Sequence, residues 1–225
     1  MRQLTAVFDL DGTLVDSAND LIRATNHTLQ VAGLSAVPGE TLRTTVSHGA
    51  RAMLEQALRL LGKDMPKGDV DRLQATFLAY YADNIAIDTR PFPGAIATLG
   101  RMRTAGARLA VCTNKTEQLA RRLLRAVEMD GLFHAITGRD TLPVCKPDPG
   151  HLIGTVILAD GDLSSVVMVG DSEIDIKTAR AAGIPSIGVT FGYSPEPIDT
   201  FQPGATIAHF DELEPSIRRL MPNLA

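Results

Sequence analysis

The stretch VFDLDGTLVDS, residues 7–17, closes an apolar run with two aspartates one residue apart, Asp9 and Asp11, and sets a third, Asp16, five residues beyond the second. Like charges so close at the end of a buried strand are unfavourable: two unit charges about 4 Å apart repel by roughly 4 kcal/mol at an effective dielectric near 20. Either the stretch is a solvated turn or the rest of the chain supplies something that neutralises it.

Working outward, short aliphatic or β-branched runs recur at Leu4–Phe8, Arg108–Cys112, Val166–Val169 and Ser186–Val189, with weaker ones at His134–Thr137 and Ala205–Ala208. These predict strands. Helical patterns lie between most of them, over Gly94–Ala105, Thr116–Met129 and Ile174–Ala182, each followed by a glycine (106, 131, 183) suited to a left-handed position after the helix. Such alternation predicts an α/β fold, a Rossmann-like core whose mostly parallel sheet is flanked by helices. The continuous run SVVMVG, 165–170, suits a strand covered on both faces.

Between 15 and 87 the texture is helical only. Leu21, Ile22, Thr25, Leu29 and Ala32 mark one helix face; Leu42, Val46, Met53, Leu54, Ala57, Leu58 and Leu61 continue a second pattern, broken at His48-Gly49; Val70, Leu73, Phe77 and Tyr80-Tyr81 give a third. The expected organisation is a core of 1–14 and 88–225 carrying an inserted helical cap, 15–87, that re-enters near RPFPG, 90–94.

Ligands of open α/β sheets sit at the carboxyl ends of the strands. Asp9 and Asp11 follow the first predicted strand; Thr113, Asn114 and Lys115 follow the second; Gly170, Asp171 and Ser172 follow the third; Lys146 lies in the stiff loop VCKPDPG, 144–150. One such set is ordinary turn chemistry, but four sets at one rim are poorly explained that way. Carboxylates gathered there need a cation, and oxygen donors without His or Cys favour a hard ion, Mg²⁺. With a hydroxyl and a lysine beside them, the set suits phosphoryl transfer. Asp175 lies one helical turn past Asp171, whereas Asp16, just before Ser17 and a helical pattern, is expected to cap that helix.

The chain has 225 residues, a formal net charge of −4 and 44% hydrophobic residues, enough for a substantial core and without the basic surface that nucleic acid requires. No apolar run approaches the roughly 20 residues that span a bilayer, and no secretory leader precedes the first strand, so a cytoplasmic protein without a membrane partner is expected. Two cysteines, Cys112 and Cys145, without ligand spacing read as reduced packing residues.

DLDGT (9–13), TNK (113–115), KPDP (146–149) and GDSEID (170–175) resemble, in order, the four motifs of the haloacid dehalogenase superfamily, and the helical insertion resembles its α-helical cap. The resemblance covers essentially the whole chain. It implies a Mg²⁺-dependent phosphomonoester hydrolase in which Asp9 is the nucleophile, Asp11 the general acid and base, and Thr113 and Lys146 serve the phosphoryl group. The phosphate site would comprise Asp9, Leu10, Asp11, Thr113, Asn114 and Lys146. Asp9, the Asp11 carbonyl and Asp171 would hold the ion, with Asp175 behind them or acting through water.

SHGAR, 47–51, breaks the cap helices, so Ser47, His48 and Arg51 become candidates for substrate recognition. PFPG, TNK, GVTFGY (188–193) and FDEL (210–213) are most similar to bacterial phosphoglycolate phosphatases, which makes 2-phosphoglycolate the expected substrate. Ser47-His48-Gly49 departs from the Gly-Asn-Gly-like segment of that subgroup. Sugar-phosphate phosphatases, including those for N-acetylmuramic acid 6-phosphate, and phosphomutases therefore stay open, with a non-enzymatic phospho-receiver domain as a remote alternative.

Overall fold

A computed structural model describes residues 4–222; residues 1–3 of the expected core segment and 223–225 lie outside it. The chain runs through β1 (Thr5–Phe8), β2 (Val15–Asp16), α1 (Ala18–Val31), α2 (Glu40–Arg43), α3 (Ala50–Leu60), α4 (Lys67–Asp83) and β3 (Arg90–Pro91). It continues through α5 (Ala95–Thr104), β4 (Arg108–Cys112), α6 (Glu117–Ala126), β5 (Ala135–Thr137), α7 (Pro149–Leu158), β6 (Val166–Gly170), α8 (Glu173–Ala181), β7 (Ser186–Val189), β8 (Ala205–Ile207) and α9 (Leu213–Leu220).

Six strands form one sheet in the order β5-β4-β1-β6-β7-β8, all neighbours parallel. The chain builds outward from β1 through β4 to β5, then crosses back to β6 on the other side. The reversal leaves a crevice at the carboxyl end of β1, the position where doubly wound sheets bind ligands. Phe8 is in register with Val111 on one side and Val169 on the other, so the residues that follow all three strands leave from one edge. Side chains alternate across the sheet. Phe8, Leu109, Val111, Val167 and Val169 join one buried cluster, while Val7, Ala110, Cys112 and Met168 join a second on the opposite face with residues of α7 and α8.

The two-residue strands β2 and β3 pair antiparallel, Val15 with Pro91 and Asp16 with Arg90, so the chain leaves and rejoins the sheet at adjacent points. Between them α1–α4 form a helical layer. Helix α1 buries Leu21, Ala24, Thr25, Thr28 and Leu29, one stripe at helical spacing, and α4 buries Val70, Leu73, Phe77 and Tyr81. Among the described residues no helix is long and apolar enough to cross a membrane.

Two local expectations are corrected. Helix α6 stops at Ala126, and the left-handed residue after it is Glu128 (φ 58°), while Gly131 lies in a short 3₁₀ turn. The amides of Glu128 and Met129 bond to the carbonyls of Arg125 and Leu124, a Schellman closure that puts Met129 into the core; burial of that side chain offsets the strain of a non-glycine residue there. The stiff loop expected over 144–150 gives way at Pro149 to α7, a helix no periodicity predicted, with the Asp148 carboxylate capping the amide of Gly150 and Pro149 in the first turn. Its apolar, glycine-broken sequence carries no amphipathic period.

Candidate active site

Asp9 emerges from β1 only 7% exposed, its amide bonded to the Val169 carbonyl. Lys146 Nζ lies 2.9 Å from Asp9 Oδ1 and 2.6 Å from Asp175 Oδ1. The Lys146 backbone is fixed on both sides: its amide donates to His151 Nδ1 in α7 (3.1 Å), and its carbonyl accepts the Asn114 side-chain amide (3.0 Å). Burial would lower the pKa of this ammonium, but Asp175 and Asp9 outweigh it and hold Lys146 above the usual lysine range.

Asp171 has no exposed surface. Its Oδ1 accepts the Thr13 hydroxyl (3.0 Å), and its Oδ2 accepts the Tyr193 amide (2.9 Å) and the Ser47 hydroxyl (3.2 Å). Asp175 sits in the first turn of α8 rather than on a helix shared with Asp171; its Oδ2 accepts both the amide and the hydroxyl of Ser172. One oxygen each from Asp9, Asp171 and Asp175 lies within 4.8 Å of the others. Burial, opposed by Lys146 and reinforced by Asp175, raises Asp9 to about 6; burial with the charges of Asp175 and Asp9 raises Asp171 to about 7. The Lys146 contact is off the hydrogen-bonding line, so Asp9 Oδ1 is a buried oxygen with no aligned donor. A buried, oxygen-only set with an unsatisfied oxygen fits a hard divalent cation.

The Asp11 carboxylate stands outside this cluster. Its Oδ1 accepts the Ser17 hydroxyl (2.5 Å), and its Oδ2 pairs with Lys115 Nζ (3.0 Å). Lys115 also donates to the Tyr81 hydroxyl of α4 (3.1 Å) and lies 4.5 Å from that ring's centroid. Burial pulls Lys115 down, but Asp11 and Tyr81 hold it above its usual range; burial, against the pull of Lys115, raises Tyr81 to about 12.

A cavity of ≈ 270 Å³ opens between the sheet edge and the helical layer. Asp9, Asp11, Thr113 and Lys146 line one side; Val46, Phe77 and Tyr81 line the other. Asn114 also borders it, and Leu10 is fully buried beneath, its carbonyl accepting the amides that turn the chain at 13–15.

Of the three expected recognition residues, Ser47 is engaged with Asp171 and Arg51 is paired with Glu55 (2.9 Å) and Asp71 (2.6 Å). His48 borders the cavity with no side-chain partner among the described residues. Asp16 caps α1 only weakly: it accepts the Ala18 amide at 3.4 Å, while its shorter contacts are the Tyr193 hydroxyl, which it accepts (2.7 Å), and the ion pair with Arg43 (3.2 Å). Its place in the β2–β3 ribbon turns its side chain across the junction rather than along the helix. Tyr81 and Tyr193 carried no sequence signal beyond apolar periodicity and a motif end; Lys115 was visible only as the last residue of TNK.

The sheet order, the carboxylates at its switch point and the inserted helical layer define a hydrolase class, and residues 6–189 match the family of haloacid dehalogenase-like hydrolases, to which the chain belongs. Phosphoglycolate phosphatase of Mesorhizobium japonicum is 46% identical over 95% of this chain and 94% of its own length, and that of Agrobacterium fabrum is 45% identical over 94% and 91%. The crystal structure of a predicted phosphoglycolate phosphatase from Haemophilus somnus superposes with a TM-score of 0.88 at 28% identity, covering 96% of this chain and 98% of that one.

Proposed function

We propose that the protein is a Mg²⁺-dependent phosphatase that hydrolyses 2-phosphoglycolate through a phosphorylated Asp9. The observation that carries this reading is the placement of Asp9, Lys146, Thr113 and the Asp11 carboxylate on one side of a small cavity. Its volume lies near the lower end of ligand pockets, roughly 300–1,000 Å³, which favours a small metabolite over a large sugar conjugate. The names of the two bacterial relatives support the same substrate.

In the first half of the reaction, an Asp9 carboxylate oxygen bonds to phosphorus as the bond to the glycolate oxygen breaks, and Asp11 gives that oxygen its proton. In the second half, Asp11 takes a proton from water, the water oxygen bonds to phosphorus, and phosphate leaves Asp9 as a free carboxylate. Thr113 and Lys146 hold phosphoryl oxygens, and Lys115 with Ser17 fixes the orientation of Asp11. Asp9, Asp171 and the Asp11 carbonyl would hold Mg²⁺, which would supply positive charge for the phosphoryl group. Asp175 has both oxygens occupied by Lys146 and Ser172 and serves to orient that lysine. We place this activity in the cytoplasm, in keeping with two free cysteines.

The test is a phosphomonoester panel, with and without Mg²⁺, on the wild type and Asp9→Asn. The expected result is Mg²⁺-dependent turnover with 2-phosphoglycolate ranked first, falling by roughly 10³-fold or more in Asp9→Asn. Steady turnover by a folded Asp9→Asn protein rules out the nucleophile; a panel led by a sugar phosphate rules out the substrate.

A further inference from the structure

Four lysine or arginine side chains border the cavity: Arg51, Lys115, Arg139 and Lys146. Three are already matched to carboxylates, Arg51 to Glu55 and Asp71, Lys115 to Asp11, and Lys146 to Asp9 and Asp175. Arg139 has no ion pair and no side-chain hydrogen bond among the described residues, and its side chain is exposed. It is therefore the cavity's one uncommitted arginine or lysine among those residues.

Its backbone is held firmly. The Arg139 amide donates to the Lys115 carbonyl (2.9 Å), tying it to the loop that carries Thr113. Gly138 before it packs so closely that a Cβ there would lie 2.1 Å from the Glu117 amide nitrogen, and its own amide donates to the Thr141 hydroxyl (2.8 Å). Asp140 after it accepts the Glu117 amide (2.8 Å). The segment 138–141 thus presents a fixed arginine stem at the wall of the cavity.

An organic phosphate bound with its phosphoryl group at Asp9, Thr113 and Lys146 turns its remaining atoms into the rest of the cavity. Much of that space is bordered by apolar side chains, Val46, Phe77, Leu78 and Leu119 among them. A second negative charge carried there loses water and needs a partner. A guanidinium offers two parallel donors that match a carboxylate, and it stays charged at every working pH.

We propose that Arg139 binds the carboxylate at the far end of the substrate and so selects phosphomonoesters that carry a second anionic group. The proposal rests on the phosphatase reading above and adds the residue that reads the non-reacting end. Arg51 does not fill this role, because Glu55 and Asp71 already neutralise it.

The experiment compares kcat/KM for 2-phosphoglycolate and for ethyl phosphate, which has the same chain length and no carboxylate, in wild type, Arg139→Ala and Arg139→Lys. Wild type is expected to prefer 2-phosphoglycolate. Arg139→Ala should lower kcat/KM on that substrate by about 10- to 100-fold, mainly through KM, as expected for losing a hydrogen-bonded charge pair, and leave ethyl phosphate within about twofold. Arg139→Lys should recover part of the loss. Ethyl phosphate turnover doubles as the check that the variants are folded. If wild type prefers 2-phosphoglycolate and Arg139→Ala keeps that preference, or loses both substrates equally, Arg139 is not the selector. If wild type does not discriminate between the two phosphates, the substrate reading itself falls, and the selector with it.

Discussion

Gly12 shows how narrowly one residue can constrain this site. Its φ of +86° lies in the left-handed region, and a Cβ added there would sit 2.4 Å from Asp171 Oδ2 and 2.9 Å from the Tyr193 ring. Gly12→Ala therefore meets roughly 1–2 kcal/mol of backbone strain and a clash with a carboxylate of the buried cluster. The expected outcome is a lower melting temperature together with at least a tenfold rise in the Mg²⁺ concentration for half-maximal activity. An unchanged Mg²⁺ requirement would separate Gly12 from the placement of Asp171. At this scale Asp9, Asp11, Thr113, Lys146 and Asp171 were legible because each follows a recognisable strand or stiff loop. Tyr81, the partner of Lys115 34 positions away, was not, because an α4 side chain on an apolar stripe looks like core until the fold brings it to the lysine. Arg139 was equally hidden within a turn-like segment.

At the scale of elements, the junction between β2 and α1 depends on a residue from the other end of the chain. The N-terminal amides of a helix have no partners of their own, and Ser17, at the cap position of α1, makes no side-chain cap. The Tyr193 hydroxyl takes that place: it accepts the amides of Ser17 (2.7 Å) and Ala18 (3.1 Å) and donates to Asp16 (2.7 Å), while Arg43 stands 5.2 Å from its ring centroid. The Tyr193 amide meanwhile holds Asp171. Tyr193→Phe keeps the ring and that amide but leaves the Ser17 amide without an acceptor and the Ala18 amide with only the long Asp16 contact (3.4 Å), at a cost of about 1–3 kcal/mol. Chemical denaturation should show this loss, and a variant as stable as wild type would mean that water replaces the hydroxyl. The strands and most helices could be read from apolar runs and glycine stops; this cap could not, since sequence favours the nearest acid and the structure uses a phenol 176 residues away.

For the whole molecule, the sheet gathers three carboxylates from β1, the β6 end and α8 into a buried cluster, a poor arrangement that a cation would relieve. Asp9 and Asp171 are raised from 3.8 to about 6 and about 7. Without metal, the folded protein therefore binds more protons than the unfolded chain between about pH 4 and pH 7, and the stability these groups contribute is lost as pH rises through that window. His151 works in the opposite sense. Burial and the charge of Lys146 lower it from 6.5 to about 4, so its contribution is lost as pH falls. A melting curve against pH alone would mix the two effects, whereas the difference between melting temperatures with and without Mg²⁺ isolates the carboxylates, because His151 belongs to neither state of the cation site. At a hundredfold excess over its dissociation constant, Mg²⁺ adds about 2.7 kcal/mol, which for a chain of this size raises the melting temperature by roughly 5–10 °C. That increment should be nearly complete at pH 8 and close to absent at pH 5 for the same Mg²⁺ concentration, because protons then occupy the oxygens the ion requires. Equal increments at both pH values would show that Mg²⁺ binds elsewhere.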